Sequence, residues 1–146
     1  MRPIWVGLAA VLAAASLVAV ASAASGTGVE IEKTPTLGKL IATTHGRTLY
    51  LFRADHGTTS ACYGKCATFW PPLVTSSKPV AMAGVKASLL GTTKRKDGKL
   101  QVTYKGHPLY TFVKDTKAGM TTGEGSNAFG AKWYALAPSG ATIDKD

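Results

Sequence analysis

An ungapped internal repeat is the strongest constraint that this chain places on its own fold. The segment from Gly38 to Asp55, GKLIATTHGRTLYLFRAD, recurs sixty positions later from Gly98 to Asp115 as GKLQVTYKGHPLYTFVKD. Gly38 matches Gly98, Leu40 matches Leu100 and Gly46 matches Gly106. Leu49-Tyr50, Phe52 and Asp55 match Leu109-Tyr110, Phe112 and Asp115. A self-match without insertion marks one supersecondary unit present twice, with the copies burying apolar surface against each other. Two similar halves around a shared core are therefore expected.

The local pattern within each copy is that of strands and tight turns. Leu40 to Thr44, the turn His45-Gly46 and Thr48 to Phe52 read as a hairpin. Lys96-Asp97-Gly98-Lys99 turns into Leu100 to Tyr104, and Lys105-Gly106 turns into Pro108 to Phe112. Glycine at these points supplies the positive φ that short hairpin loops need. Lys132 to Ala137 and Ala141 to Asp144 read as closing strands, and helix is confined to short turns within Ser60 to Trp70 and Val85 to Leu90. The expected fold is all-β with minor helix: two pseudo-symmetric β-hairpin repeats, about 38–73 and 98–137, sharing one core in a small sandwich or barrel-like domain over 38–146.

Side chains alternate across a strand, so Tyr50 and Phe52 share one face while Leu49 and Leu51 share the other. Tyr110 and Phe112 likewise lie opposite Leu109 and Thr111. With both faces apolar, the first of these strands belongs in the middle of a sheet. The aromatic pairs read as two halves of the core, with Trp70 and Trp133 as one buried anchor in each half. A ligand platform built on the same rings is the alternative.

The ends and the charge set the compartment. Arg2, an Ala/Val/Leu run and Ala21-Ser22-Ala23 describe a secretory signal peptide over residues 1–23, cleaved rather than retained as an anchor. Residues 24–37 are small and polar and are expected to be a flexible lead-in. A mature chain of about 120 residues suits a single domain with a modest core. The whole chain carries a net charge of +9; loss of Arg2 leaves sixteen basic against eight acidic residues. That balance favours an anionic envelope component as partner. Nucleic acid is not an expected partner of an exported protein, and no membrane span is expected after cleavage. The basic residues are scattered except for Lys94-Arg95-Lys96, which reads as a solvated hairpin tip.

Cys62 and Cys66 are the two cysteines. A close pair in an oxidising compartment forms a disulfide, and this spacing suits one. The alternative is a copper or thiol-redox site: two thiolates suit Cu(I), and His56 would complete the set. Cys66 is followed by Ala67 rather than His, which argues against attached haem. His45 and His107 flank turn glycines. Asp55 and Asp115, each at a strand end, read as turn-forming residues; a pair of acid/base carboxylates is the catalytic alternative. The Gly-rich stretch from Gly119 to Gly130 lacks a nucleotide-loop pattern, and no hydrolase nucleophile or zinc-protease signature is present.

The two Leu-Tyr-x-Phe-x-x-Asp motifs resemble those of a bacterial family of secreted repeats of unknown function, with a Y-x-[FWY]-x-x-D signature. The matching residues are Tyr50, Phe52 and Asp55, then Tyr110, Phe112 and Asp115. The string Cys62, Cys66, Trp70-Pro71-Pro72-Leu73 and the segment around Gln101 to Tyr110 are also similar to its members. The likeness runs from about Gly38 to Gly140. It implies an exported or lipid-anchored β-repeat protein and implies no activity. No Cys lies near the expected cut, so a periplasmic or extracellular protein, soluble rather than lipid-anchored, is expected.

A non-enzymatic structural or binding module of the cell envelope, without a cofactor, is thus the leading functional expectation. The copper or redox protein using Cys62, Cys66 and His56 comes second, and an enzyme using Asp55 and Asp115 third.

Overall fold

The computed structural model describes residues 3, 14–16 and 26–145. Apart from residues 3 and 14–16, the expected signal peptide lies outside the described residues. Among the described residues ten short strands follow one another: β1 (Gly28–Thr34), β2 (Gly38–Thr43), β3 (Tyr50–Phe52), β4 (Val74–Thr75), β5 (Val80–Ala81), β6 (Leu90–Lys94), β7 (Leu100–Tyr104), β8 (His107–Pro108), β9 (Asn127–Ala128) and β10 (Ala131–Ala135). One helix, α1 (Lys65–Phe69), and a 3-10 turn over Ala87–Leu89 lie within the two stretches expected to hold helical turns. The fold is all-β. Its strands form several small sheets, β2-β1-β5, β3-β10-β9 and β4-β7-β6 with β8 on β7. They form no closed barrel among the described residues.

The lead-in reading is corrected over Gly28–Thr34. This segment is a strand, paired with β2 from Val29 opposite Thr43 to Thr34 opposite Gly38. Val29 and Ile31 alternate with Glu30 and Glu32, which gives the segment an apolar face that its overall polarity hides. Thr34 closes the turn: its hydroxyl donates to the Gly38 carbonyl and accepts from the Leu37 N–H.

The repeats are interlocked. β3 of the first repeat pairs with β10 of the second, setting Phe52 opposite Trp133 and Tyr50 opposite Ala135. Tyr110 of the second repeat bridges Pro72 of the first. There, Leu73 donates to the Leu109 carbonyl and Thr111 to the Pro71 carbonyl, each at 2.9 Å. Between these two exchanges Tyr50 and Tyr110 face each other: each N–H donates to the other's carbonyl, at 2.8 and 3.0 Å. A pseudo-twofold axis therefore passes between Tyr50 and Tyr110.

Two core layers flank this centre, and both repeats contribute to each. Leu49, Leu51, Val102, Leu109 and Leu136 form the aliphatic layer. Tyr50, Phe52, Tyr110, Trp70 and Trp133 form the aromatic one. β3 is buried along its length, as an apolar-on-both-faces strand must be. The turn Lys105-Gly106 has positive φ at both residues, 50° and 80°, as a two-residue hairpin loop requires.

Candidate functional site

The tyrosine and aspartate repeated in Leu-Tyr-x-Phe-x-x-Asp meet across the axis rather than within a repeat. The Tyr50 hydroxyl donates to Asp115 Oδ2 at 2.6 Å, and the Tyr110 hydroxyl donates to Asp55 Oδ2 at 2.9 Å. Each aspartate also closes its own turn. Asp55 Oδ1 accepts the Ala61 N–H at 2.8 Å, and Asp115 Oδ1 accepts the Thr122 N–H at 2.9 Å and the Thr122 hydroxyl. In place of the tight Asx turn expected at each strand end, the bonds reach N–H groups six and seven residues on and tie down the following loop, with the opposite tyrosine added.

The two latches differ in what backs them. Behind Tyr110, Ser60 Oγ lies 2.7 Å from the phenol oxygen and accepts from Arg95 Nη1 at 3.0 Å. Arg95 further donates to the Cys62 carbonyl and to Gln101 Oε1, and its guanidinium lies 4.3 Å from the Tyr63 ring centre. Behind Tyr50 stands the Gly123 N–H, donating at 3.2 Å. A Cβ at Gly123 would come within 2.7 Å of the Trp70 ring, so only glycine fits there.

Arg95 corrects the solvated-tip reading of Lys94-Arg95-Lys96. It is 4% exposed, whereas Lys94 and Lys96 face solvent. Burial of a guanidinium is sustained because its donors find a carbonyl, a hydroxyl, an amide and Asp97. Burial raises the Asp55 carboxyl to about 6, opposed by the Ala61 N–H, the Tyr110 hydroxyl and the Arg95 charge. Burial likewise raises both phenols, followed for Tyr50 by its bond to Asp115 and opposed for Tyr110 by its bond to Ser60. Such phenols stay protonated and serve as donors.

The second constituent is a four-ring stack. Phe112 lies on Trp70 at 4.1 Å, Trp70 on Trp133 at 3.9 Å, and Trp133 on Phe52 at 4.0 Å between ring centres. Members alternate between repeats. Tyr50 meets Trp70 edge-on and Tyr110 meets Trp133 edge-on, at 5.4 and 5.2 Å, completing the symmetry. Trp70 and Trp133 are both buried, as anchors. The symmetry breaks at the ends: Phe52 is buried, while Phe112 lines a surface cleft of about 260 Å³ with Phe69, Trp70, Phe129, Ser126 and Lys114.

Cys62 and Cys66 are joined in a disulfide with Cα atoms 5.3 Å apart. Cys66 sits in α1 and both pack under Trp70 in the aromatic layer. His56 is exposed, its backbone paired with Thr59. His45 is exposed, and burial lowers the half-buried His107, reinforced by Arg53 and Lys105. Among the described residues no group of three or more His, Cys, Asp or Glu converges in the manner of a metal site. Sequence reasoning missed Arg95, Ser60, Gln101, Phe69 and Phe129. For Arg95 the available signal was its place between two lysines at a strand end, which is not distinctive.

A family model described as a secreted repeat of unknown function matches residues 33–74 and 91–137. The two matched spans end just past Trp70 and Trp133, so the family unit includes the strand that each repeat lends to the other. No curated protein and no solved structure matches the chain. No helix among the described residues is long and apolar enough to cross a membrane.

Proposed function

The chain belongs to the family of secreted repeats of unknown function, and from that premise we propose that it is a non-enzymatic structural or binding module of the cell envelope. One observation carries the proposal: the tyrosines and aspartates of the motif are spent on holding the two repeats together. Asp115 is 3% exposed, accepts from three groups and lines no part of the aromatic cleft. A carboxylate used as an acid or base must instead reach a substrate proton. The disulfide, lying beneath Trp70, acts as a staple on the same layer.

Export by the signal segment to the periplasm or beyond, and attraction of the basic surface to anionic envelope polymers, complete the proposal. The thiol or copper reading would require reduction of the Cys62–Cys66 bond, since Cu(I) takes thiolates. Native mass spectrometry of the mature protein, oxidised and then reduced in the presence of Cu(I), tests it. A mass two hydrogens short, with no copper retained after reduction, is expected. One tightly held copper per chain, lost in Cys66→Ser, would move the protein into metal handling.

A further inference from the structure

Phe129 breaks the local rule for its position. It occupies the two-residue loop between Ala128 and Ala131, which pair across the hairpin. Both loop residues have positive φ, 57° at Phe129 and 91° at Gly130. Asn-Gly is the sequence favoured for such a loop, and a bulky side chain at positive φ is strained. Burial offers no compensation, because Phe129 is 43% exposed, with a tilted contact to Phe69 at 6.1 Å. Strain held at an exposed aromatic points to a role in recognition.

The ring stands on the rim of the cleft that the aromatic stack opens into. Phe69, Phe112 and Trp70 supply its apolar, aromatic lining. Two polar residues complete this lining, Lys114 with a cationic side chain and Ser126 with a hydroxyl. We propose that this cleft binds a small planar aromatic anion, its ring among Phe69, Phe112 and Phe129 and its charge at Lys114. A volume of about 260 Å³ suits one or two fused rings. A sugar is disfavoured: aromatic faces suit it, but one hydroxyl and one ammonium cannot satisfy its several hydroxyls. The inference rests on the binding-module reading and names its ligand class.

The test uses 2-naphthoate as probe, titrated into the ¹⁵N-labelled mature chain, with 2-naphthylmethanol as the neutral analogue and a chitin oligosaccharide as the sugar. Saturable shifts confined to the amides around Phe112, Lys114, Ser126 and Phe129 are expected. Lys114→Met should weaken naphthoate about tenfold and leave the alcohol unchanged, as loss of one charge contact does. Phe129→Asn, which restores the favoured loop residue, should keep or raise Tm while weakening both naphthyl probes. No saturable shift, shifts elsewhere, or sugar binding in place of naphthoate overturns the proposal. So does a Phe129→Asn variant that loses stability with affinity unchanged, for the ring would then be packing. Chemical conversion of the probe, followed in the same spectra, would end the non-enzymatic reading and leave the site standing; absent binding would do the reverse.

Discussion

Removing the Asp115 carboxylate should be far more damaging than its small size suggests, and the damage should be traceable to Tyr50. In Asp115→Ala the Tyr50 hydroxyl loses its acceptor at 2.6 Å in a buried setting, and the Thr122 N–H loses its own at 2.9 Å. Leaving one buried donor unsatisfied costs about 1–3 kcal/mol, and a bond to a charged acceptor contributes about 1.5–3 kcal/mol. Thr122 is exposed, so water recovers part of the second loss. The expected fall is about 3 kcal/mol, a large fraction of the roughly 5–15 kcal/mol that holds a small domain folded. Tyr50→Phe should cost about 2 kcal/mol, because it also strips the Gly123 N–H of its acceptor. The discriminating measurement is a pair of double-mutant cycles by urea denaturation. Tyr50→Phe with Asp115→Ala should show a coupling of about 1 kcal/mol or more, whereas Tyr50→Phe with Asp55→Ala should be close to additive. Coupling of Tyr50 to Asp55 rather than to Asp115 would falsify the exchanged pairing of the repeats.

Three further outcomes are expected. Arg95→Met should lower stability by about 3 kcal/mol, since it strands the Cys62 carbonyl and the Gln101 amide oxygen, and Arg95→Lys should rescue little of it; thermal denaturation reads both. The Cys62–Cys66 bond closes a loop of few residues, so its reduction should cost about 2 kcal/mol or less, seen as a modest drop in urea midpoint. Asp55 titrates at about 6 when folded against 3.8 when free. The folded state thus holds the proton more tightly, and stability should fall as pH rises from about 4 to about 6. Asp55→Asn should flatten that slope in urea midpoints taken across the window; an unchanged slope would assign it to other groups.

Much of the fold was legible because its signals are local. The hairpin glycines, the alternation of Leu49-Tyr50-Leu51-Phe52 and the tryptophan anchors each follow from period and turn chemistry. The exchange of strands was not legible. Two repeats with the same tyrosine and aspartate at matching positions make pairing within a copy and pairing between copies equivalent in sequence, and only the three-dimensional path decides. That is also why Asp55 and Asp115 read as turn residues while their bond to the opposite tyrosine stayed hidden. β1 is obscured because residues 24–37 are small and polar as a whole, which dilutes the alternation of Val29 and Ile31. Arg95 was hidden by its neighbours: burial depends on acceptors from Ser60, Cys62 and Gln101, all remote in sequence. Phe129 and its cleft were lost within a glycine-rich stretch, where a strained φ has no signature of its own.

The Tyr50–Tyr110 axis has an ancestral consequence. A single unfused unit would carry a tyrosine in search of an aspartate and a strand in search of a partner, both supplied by a second copy of itself. Such self-complementarity is that of an isologous homodimer. The present chain has the form of that dimer written into one polypeptide, in which the halves are free to differ. Ser60 and Arg95 now back one latch and Gly123 the other, and the stack opens at Phe112 while it closes at Phe52. A dimer bound by exact symmetry would have had to open both ends or neither.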